Sequence, residues 1–236
     1  NYNHSTRTSK ETTYLIGLAI TGDVTNVTSI GLVDGYLLNS YSIDVVGDIL
    51  RIATSLRRFW RARPVFLEEG ATAEAVEEID ESSTENNIII LKMPGLNGGK
   101  PGTMMEQGRV RLGNPDELFT AVRFFDDVAY AATFEKKDPF YVLDLSNITN
   151  PEVLGELDIT GFSSYLYPMN ADNTLLLAVG EDADDDGNTL GLSITVFDAR
   201  DPANPFAIQR YSIEDDPDTY SNSQSQWDFK ALRYIR

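Results

Sequence analysis

An acidic segment at residues 182–188 is the part of this sequence whose residue types point most directly to chemistry. It places oxygen-bearing side chains at alternate positions and follows them with Gly187. This pattern matches the opening of a calcium loop, because Ca²⁺ takes oxygen ligands and glycine permits the sharp turn. An EF-hand loop would end on a bidentate glutamate, where this chain has Ser193. The pattern therefore predicts calcium ligands, with a solvated acidic hairpin tip as the alternative; the candidates are Asp182, Asp184, Asp186 and Asn188.

A basic and aromatic cluster lies at the start of a long insertion, residues 56–85. Its candidate partner-binding residues are Arg57, Arg58, Trp60 and Arg61. Arginine and tryptophan are frequent hot-spot residues of protein interfaces. An acidic run at 68–85 follows, so local ion pairing is the alternative interpretation. The low apolar content of that run predicts a long solvated loop.

Three N-x-S/T sequons predict glycosylation sites if the protein is secreted. They begin at Asn3, Asn26 and Asn147. Asn147 lies in a predicted turn between strands, which is an exposed place suited to glycan attachment. The alternative is that all three are ordinary polar turn residues.

No catalytic constellation can be assembled from the obvious candidates. His4 is the sole histidine and cysteine is absent, which excludes a Ser-His-Asp triad, histidine metal clusters, thiol catalysis and disulfides. The sequence has no G-x-S-x-G elbow and no P-loop. Carboxylates are abundant, but nothing selects one pair as a glycosidase couple. No residue is therefore assigned a catalytic role.

The elements that would position these residues are organised as repeats. Residues 138–157 and 192–211 share a strand, a turn and another strand at an offset of about 54 residues, with Asp144 matching Asp198 and Pro151 matching Pro205. A matching hairpin precedes each copy. Four short antiparallel strands per repeat are typical of a β-propeller blade. We expect the repeated aspartates to cap backbone N–H groups where a strand ends.

These patterns divide the chain into blades of a single propeller region. Complete blades are predicted at 118–160 and 162–215, and a looser copy with the insertion is predicted at 39–115. Residues 11–38 read as the end of a blade, and 226–236 as the start of another, with its first strand at 227–235. About four blades are visible, which is the low end for propellers, so a piece of a larger propeller is favoured over a ring closed by its two ends.

Strand alternation makes a further prediction at 163–167. It puts Tyr165 and Tyr167 on one sheet face and Leu166 on the other. Packing between adjacent blades explains two such tyrosines, and a sugar-stacking platform is the alternative.

Composition narrows the class of partner. The formal net charge is −18, from 37 acids against 19 bases. This charge disfavours nucleic acid, because phosphate binding requires a basic face. No apolar stretch is long enough to span a membrane.

Several segments of the sequence resemble those of secreted proteins with a C-terminal β-propeller domain, a family distantly related to the WD-repeat propellers. They lie at 33–55, 121–168 and 192–205 and agree in order and spacing. The resemblance implies a larger propeller and an exported or cell-surface location, but no specific activity. This chain departs from the family at Phe229, where family members carry histidine, and in its 56–85 insertion.

The sequence therefore predicts an all-β, non-catalytic, exported β-propeller that acts as a binding or structural module in an extracellular assembly. A protein partner or self-assembly is expected, with a glycan as a further possibility. Two alternatives stay open: a carbohydrate-active enzyme that uses carboxylates on the propeller face, and a calcium-stabilised adhesion module. Calcium is the one cofactor that the sequence suggests.

Overall fold

The computed structural model describes residues 9–59, 82–94, 101–134, 137–184, 186–213 and 221–235. These residues form sixteen β-strands, and no α-helix occurs among them. In chain order the strands are β1 (Ser9–Lys10), β2 (Thr12–Thr21), β3 (Val24–Asp34), β4 (Ile43–Val46), β5 (Ile49–Phe59), β6 (Ser82–Lys92), β7 (Gly102–Thr103), β8 (Met105–Leu112), β9 (Leu118–Phe125), β10 (Val128–Phe134), β11 (Lys137–Asp144), β12 (Glu152–Thr160), β13 (Phe162–Pro168), β14 (Leu175–Ala183), β15 (Thr189–Asp198) and β16 (Phe206–Ser212).

The strands form four sheets. The first sheet is the antiparallel β2–β3 hairpin, with β7 parallel to β3. The second has the strand order β5–β6–β8. Both β4 and β1 pair with the edge of β5 that does not pair with β6. The third and fourth are four-stranded antiparallel meanders in the orders β9–β10–β11–β12 and β13–β14–β15–β16. These meanders confirm the predicted fold class of four-stranded antiparallel blades.

The sheets pack face to face in series, and the apolar runs of the sequence explain why. Successive strand residues point to opposite faces, so a continuous apolar strand must be covered on both sides. In β6, Ile88 and Ile90 pack in the core shared with the third sheet, whereas Ile89 and Leu91 pack in the core shared with the first. All four side chains are buried.

The third and fourth sheets meet through aromatic side chains. Phe140 of β11 and Phe197 of β15 stack with ring centroids 4.5 Å apart and planes 9° apart. Tyr130 also stacks against Phe140, with ring centroids 5.8 Å apart. Both phenylalanines are completely buried, so this stack joins the two sheets.

The repeated aspartates end strands by capping backbone groups, as predicted. Asp144 Oδ1 accepts from the Ser146 N–H at 2.8 Å, and Asp198 Oδ1 accepts from the Arg200 N–H at 2.9 Å. Each aspartate is the last residue of its strand. The same capping hydrogen bond forms in both copies, which explains why the repeated sequence motif carries an aspartate at this position.

Two expectations about local structure were wrong. The solvated loop expected at 68–85 is wrong at its end, because β6 starts at Ser82 and its ladder with β5 extends to Phe59. The strand expected at 227–235 is absent, and the described part of that segment holds a short 3₁₀ turn at Phe229–Ala231 instead. There the Asp228 carboxylate accepts from the Lys230 N–H at 3.0 Å, which favours a turn over a ladder.

Candidate functional site

The predicted calcium ligands do not all point to one centre. Asp184 Oδ1 accepts from the backbone N–H groups of Asp186 and Asn188 at 3.0 and 2.9 Å. Asn188 also donates through Nδ2 to Asp184 Oδ2 at 2.9 Å. These hydrogen bonds lower the pKa of Asp184, with those from Asn188 contributing most. The loop is thus closed by its own hydrogen bonds around one carboxylate.

Asp182 is engaged elsewhere. Its Oδ1 accepts from Arg210 at 2.6 Å, and its Oδ2 accepts from the Ser212 hydroxyl at 2.6 Å. A calcium ion shared with Asp184 would require Asp182 to leave Arg210. Within the described ranges, no three His, Cys, Asp or Glu side chains gather as a metal site. Calcium binding stays a prediction.

The predicted partner-binding residues are only partly described. Arg57 and Arg58 lie in β5 and pair with Thr84 and Ser83 of β6. The Arg57 guanidinium lies 5.9 Å from the ring centroid of Tyr36. Trp60 and Arg61 lie outside the described residues, so their role in an interface also stays a prediction.

Two of the three sequons lie on described, exposed backbone. Asn147 is exposed in the turn between β11 and β12, and its Oδ1 accepts from the Thr149 hydroxyl at 2.9 Å. Asn26 is exposed on β3. Asn3 lies outside the described residues. Both described asparagines are accessible for modification, and their glycosylation stays a prediction.

A groove of about 430 Å³ runs between the second and third sheets. Its lining includes Arg111, Tyr141, Glu156 and Asp158. Burial raises the pKa of Tyr141 to about 12, so its phenol stays neutral. Glu156 and Asp158 lie two residues apart on β12 and both line this groove, so it is where the enzyme alternative finds paired carboxylates.

A cluster of one arginine and several aromatic rings lies where three segments converge. We call it the arginine–tyrosine cluster: Tyr41, Arg123, Phe125, Tyr165 and Tyr167. Arg123 and Phe125 are on β9, the tyrosines Tyr165 and Tyr167 are on β13, and Tyr41 is in the 3₁₀ turn before β4. Strands β9 and β13, each the first of its sheet, lie side by side. The fold therefore assembles this cluster from positions far apart in sequence.

The cluster is held by cation–π contacts. The Arg123 guanidinium carbon lies 4.0 Å from the ring centroid of Tyr41, 5.2 Å from that of Phe125 and 5.7 Å from that of Tyr165. Cation–π contacts of this kind contribute about 0.5–2 kcal/mol, with the larger values at desolvated sites. The hydroxyl groups of Tyr41 and Tyr165 are 3.5 Å apart.

Sequence reasoning found two of the five residues of this cluster. Alternation correctly put Tyr165 and Tyr167 together, with ring centroids 6.5 Å apart, and put Leu166 in the core of the opposite face. Arg123, Tyr41 and Phe125 were missed. A lone charge in the otherwise apolar strand at 118–125 is the signal that could have identified Arg123.

The outward face of the β2–β3 hairpin is exposed and almost wholly apolar. Side chains on this face come from alternate residues of β2 and their cross-strand partners on β3. We call this surface the apolar hairpin face: Tyr14, Ile16, Leu18, Ile20, Val27, Ile30 and Leu32, which are 42–81% exposed. The opposite face of the hairpin is buried, with Leu15 and Val33 in the core shared with the second sheet. In the described residues, no strand pairs with the outer edge of β2.

The structure contains no long apolar helix in the ranges it describes, so none there could cross a bilayer. Among curated proteins, the chain is similar to an uncharacterised protein of Methanocaldococcus jannaschii, with 36% identity over 183 residues, and to one of Archaeoglobus fulgidus, with 32% identity over 183 residues. Each alignment covers 78% of this chain but only 24% and 23% of the respective relative. The chain thus spans about a quarter of the length of these relatives. The family model described as a β-propeller domain matches residues 1–236. The chain belongs to the β-propeller domain family.

Proposed function

We propose that this region is a non-catalytic binding and structural module of an exported or cell-surface protein, and that it assembles through the apolar hairpin face. The observation that carries the proposal is the exposure of seven large side chains on one side of a hairpin whose other side is core. Contiguous apolar patches of this kind are typical of interaction sites. Water contact with such a surface is unfavourable by about 25 cal/mol per Å² of apolar area.

The partner that fits this face is an apolar sheet face of another propeller blade. The interfaces between successive sheets of this chain are all of that type, sheet face on sheet face. The free edge of β2 could also pair with a neighbouring strand. The relatives are about four times as long as the matched region, which supports further blades as the source of the partner surface.

The exported location rests on different observations. The formal charge of −18 and two exposed sequons, at Asn26 and Asn147, support an extracellular setting. Mass spectrometry of peptides from the natively produced protein tests this directly. Glycan mass on the Asn147 peptide supports export, and unmodified Asn26 and Asn147 peptides would remove this support.

Sedimentation velocity of the purified chain tests assembly through the apolar hairpin face. We expect the wild type to self-associate as its concentration rises, because the face is uncovered in isolation. Ile16→Lys should reduce this association by at least about tenfold, since burying an unpaired ammonium opposes contact. Ser146→Lys adds the same charge at an exposed turn and should associate like the wild type.

Three outcomes separate the proposal from its rivals. A wild-type chain that stays monomeric at high concentration would contradict it. Equal association of Ile16→Lys and the wild type would place the contact elsewhere. A discrete dimer, in place of open-ended association, would assign the face to a second copy of this chain.

The groove lined by Glu156 and Asp158 is the specific observation that favours the enzyme alternative. Glycoside hydrolysis uses two carboxylates about 5–10 Å apart. Screening the wild type and a Glu156→Gln variant against aryl glycosides tests it. Turnover that is lost in the variant would replace the binding-module proposal with an enzymatic one.

A further inference from the structure

Arg123 differs from the other arginines of the described core in having no acidic partner. Arg51 pairs with the Asp44 carboxylate and donates to the Asp126 carbonyl. Arg210 pairs with Asp182 at 2.6 Å. Among the described residues, Arg123 makes one long hydrogen bond, 3.5 Å from its Nη1 to Tyr165 Oη, and forms no ion pair. Its contacts among the described residues are therefore with aromatic side chains and not with carboxylates.

The donors of Arg123 that make no hydrogen bond are accessible. A guanidinium has five N–H donors, and the structure uses one of them here. Arg123 is partly exposed, and none of its nitrogens is both fully buried and without a hydrogen-bond partner. Its unused N–H groups are therefore not sealed off from a ligand that could accept from them.

The neighbouring phenols cannot neutralise this charge. Burial, followed by the hydrogen bond with Tyr41, raises the pKa of Tyr165 to about 12 against the opposing effect of Arg123. Tyr165 is therefore a neutral hydroxyl at physiological pH. No phenolate therefore forms beside the guanidinium, whose unused N–H groups stay available as donors.

The aromatic surface continues outward from the arginine. Tyr165 and Tyr167 have ring centroids 6.5 Å apart, and Tyr167 and Tyr234 have centroids 6.3 Å apart. Tyr167 is half-buried and Tyr234 is 37% exposed. A row of rings thus leads from the charged group to the surface. Such a row can cover the flat apolar face of a ring-shaped ligand.

We propose that the arginine–tyrosine cluster binds the carboxylate of a small ring-bearing acid, with the carboxylate on Arg123 and the ring against Tyr167 and Tyr234. Guanidinium and carboxylate match as a bidentate pair. The net charge of −18 repels polyanions more strongly than monoanions at long range, which favours a ligand with a single negative charge. A uronic acid sugar and an aromatic acid share this chemistry.

Ligand-observed NMR with two pairs of probes tests the site and separates the two ligand classes. One pair is glucuronate and glucose, and the other is benzoate and benzyl alcohol. We expect the acid of at least one pair to bind at least about tenfold more tightly than its neutral partner, since hydrogen bonds to charged groups are the strong ones. Preference for glucuronate would indicate a sugar acid, and preference for benzoate an aromatic acid.

Variants of Arg123 locate the binding. Arg123→Gln should lose the tenfold preference for the acid, and Arg123→Lys should keep only part of it because it retains the charge without the planar fork. Arg109→Gln makes the same charge change at an exposed ion pair with Glu106 and should bind like the wild type. Backbone amide spectra of each variant report folding. If Arg123→Gln does not fold, Arg123→Lys and Tyr234→Ala carry the test.

Several results would overturn the proposal. The first is that neither acid binds the wild type in the millimolar range. The second is equal binding of each acid and its neutral partner. The third is acid binding that Arg123→Gln, or in its place both Arg123→Lys and Tyr234→Ala, leaves unchanged. Amide shifts on addition of the acid that avoid residues 41, 123 and 165 would also assign the site elsewhere.

Discussion

Replacing Phe197 by alanine should strongly destabilise the protein, because this side chain joins the third and fourth sheets. It is completely buried and stacks on Phe140 with centroids 4.5 Å apart. Truncating a buried phenylalanine costs about 3–5 kcal/mol. The lost aromatic pair accounts for about 0.5–1.5 kcal/mol of that. Phe197→Leu keeps most of the volume and should therefore lose much less.

Urea unfolding followed by circular dichroism measures this effect. With an m-value of about 2 kcal/mol/M, a loss of about 4 kcal/mol lowers the unfolding midpoint by about 2 M. Phe206→Ala is the matched control, because Phe206 starts the next strand but is 51% exposed, so its loss should stay below about 1 kcal/mol. A midpoint shift for Phe197→Ala no larger than that of the control would refute face-to-face packing of the two sheets.

Three further predictions concern a strand-ending aspartate, a buried glycine and the acidic loop. The hydrogen bond from Arg200 lowers the pKa of Asp198. The stability that this ionised carboxylate adds to the fold is therefore complete above the usual aspartate pKa of about 3.9 and is lost as pH falls through the lower folded pKa. Asp198→Asn should flatten the acid side of a plot of melting temperature against pH, and an unchanged slope would contradict this. Gly180→Ala should prevent folding, since a Cβ there would overlap the Phe162 carbonyl oxygen of the paired strand; a soluble variant with wild-type melting temperature would contradict that register. If residues 182–188 bind calcium, calcium should raise the melting temperature of the wild type by several degrees. Replacing both Asp184 and Asp186 by Asn should abolish this rise, and no calcium effect in the wild type would contradict the prediction.

The repeated sequence motif made much of the fold predictable. The strands at 137–160 and 189–212 were readable because each copy carries a strand-ending aspartate and a turn proline at matching positions. The run Ile88–Leu91 is apolar at successive positions, and the structure buries both faces of this strand between two sheets. Local chemistry and strand alternation were sufficient for these elements.

Other features depend on contacts that alternation cannot reveal. The strand expected at 227–235 was wrong because the Asp228 carboxylate bonds locally to the Lys230 N–H. Arg123 looked like an isolated charge, since its contact with Tyr41 arises only when separate sheets pack. Asp182 matched a calcium loop in sequence, but the strand pairing of β15 with β16 brings Arg210 to it.

The most direct test of the account is the accessibility of the apolar hairpin face, measured at Ile16. The chain has no cysteine, so Ile16→Cys and the control Ala171→Cys, in an exposed turn between β13 and β14, each introduce a single thiol for rate-resolved labelling. The account predicts fast labelling at both positions in the purified chain. In the gene product as its own cells make it, position 16 should be protected at least about tenfold while position 171 stays reactive. Equal labelling of the two positions in that native product would contradict assembly through this face.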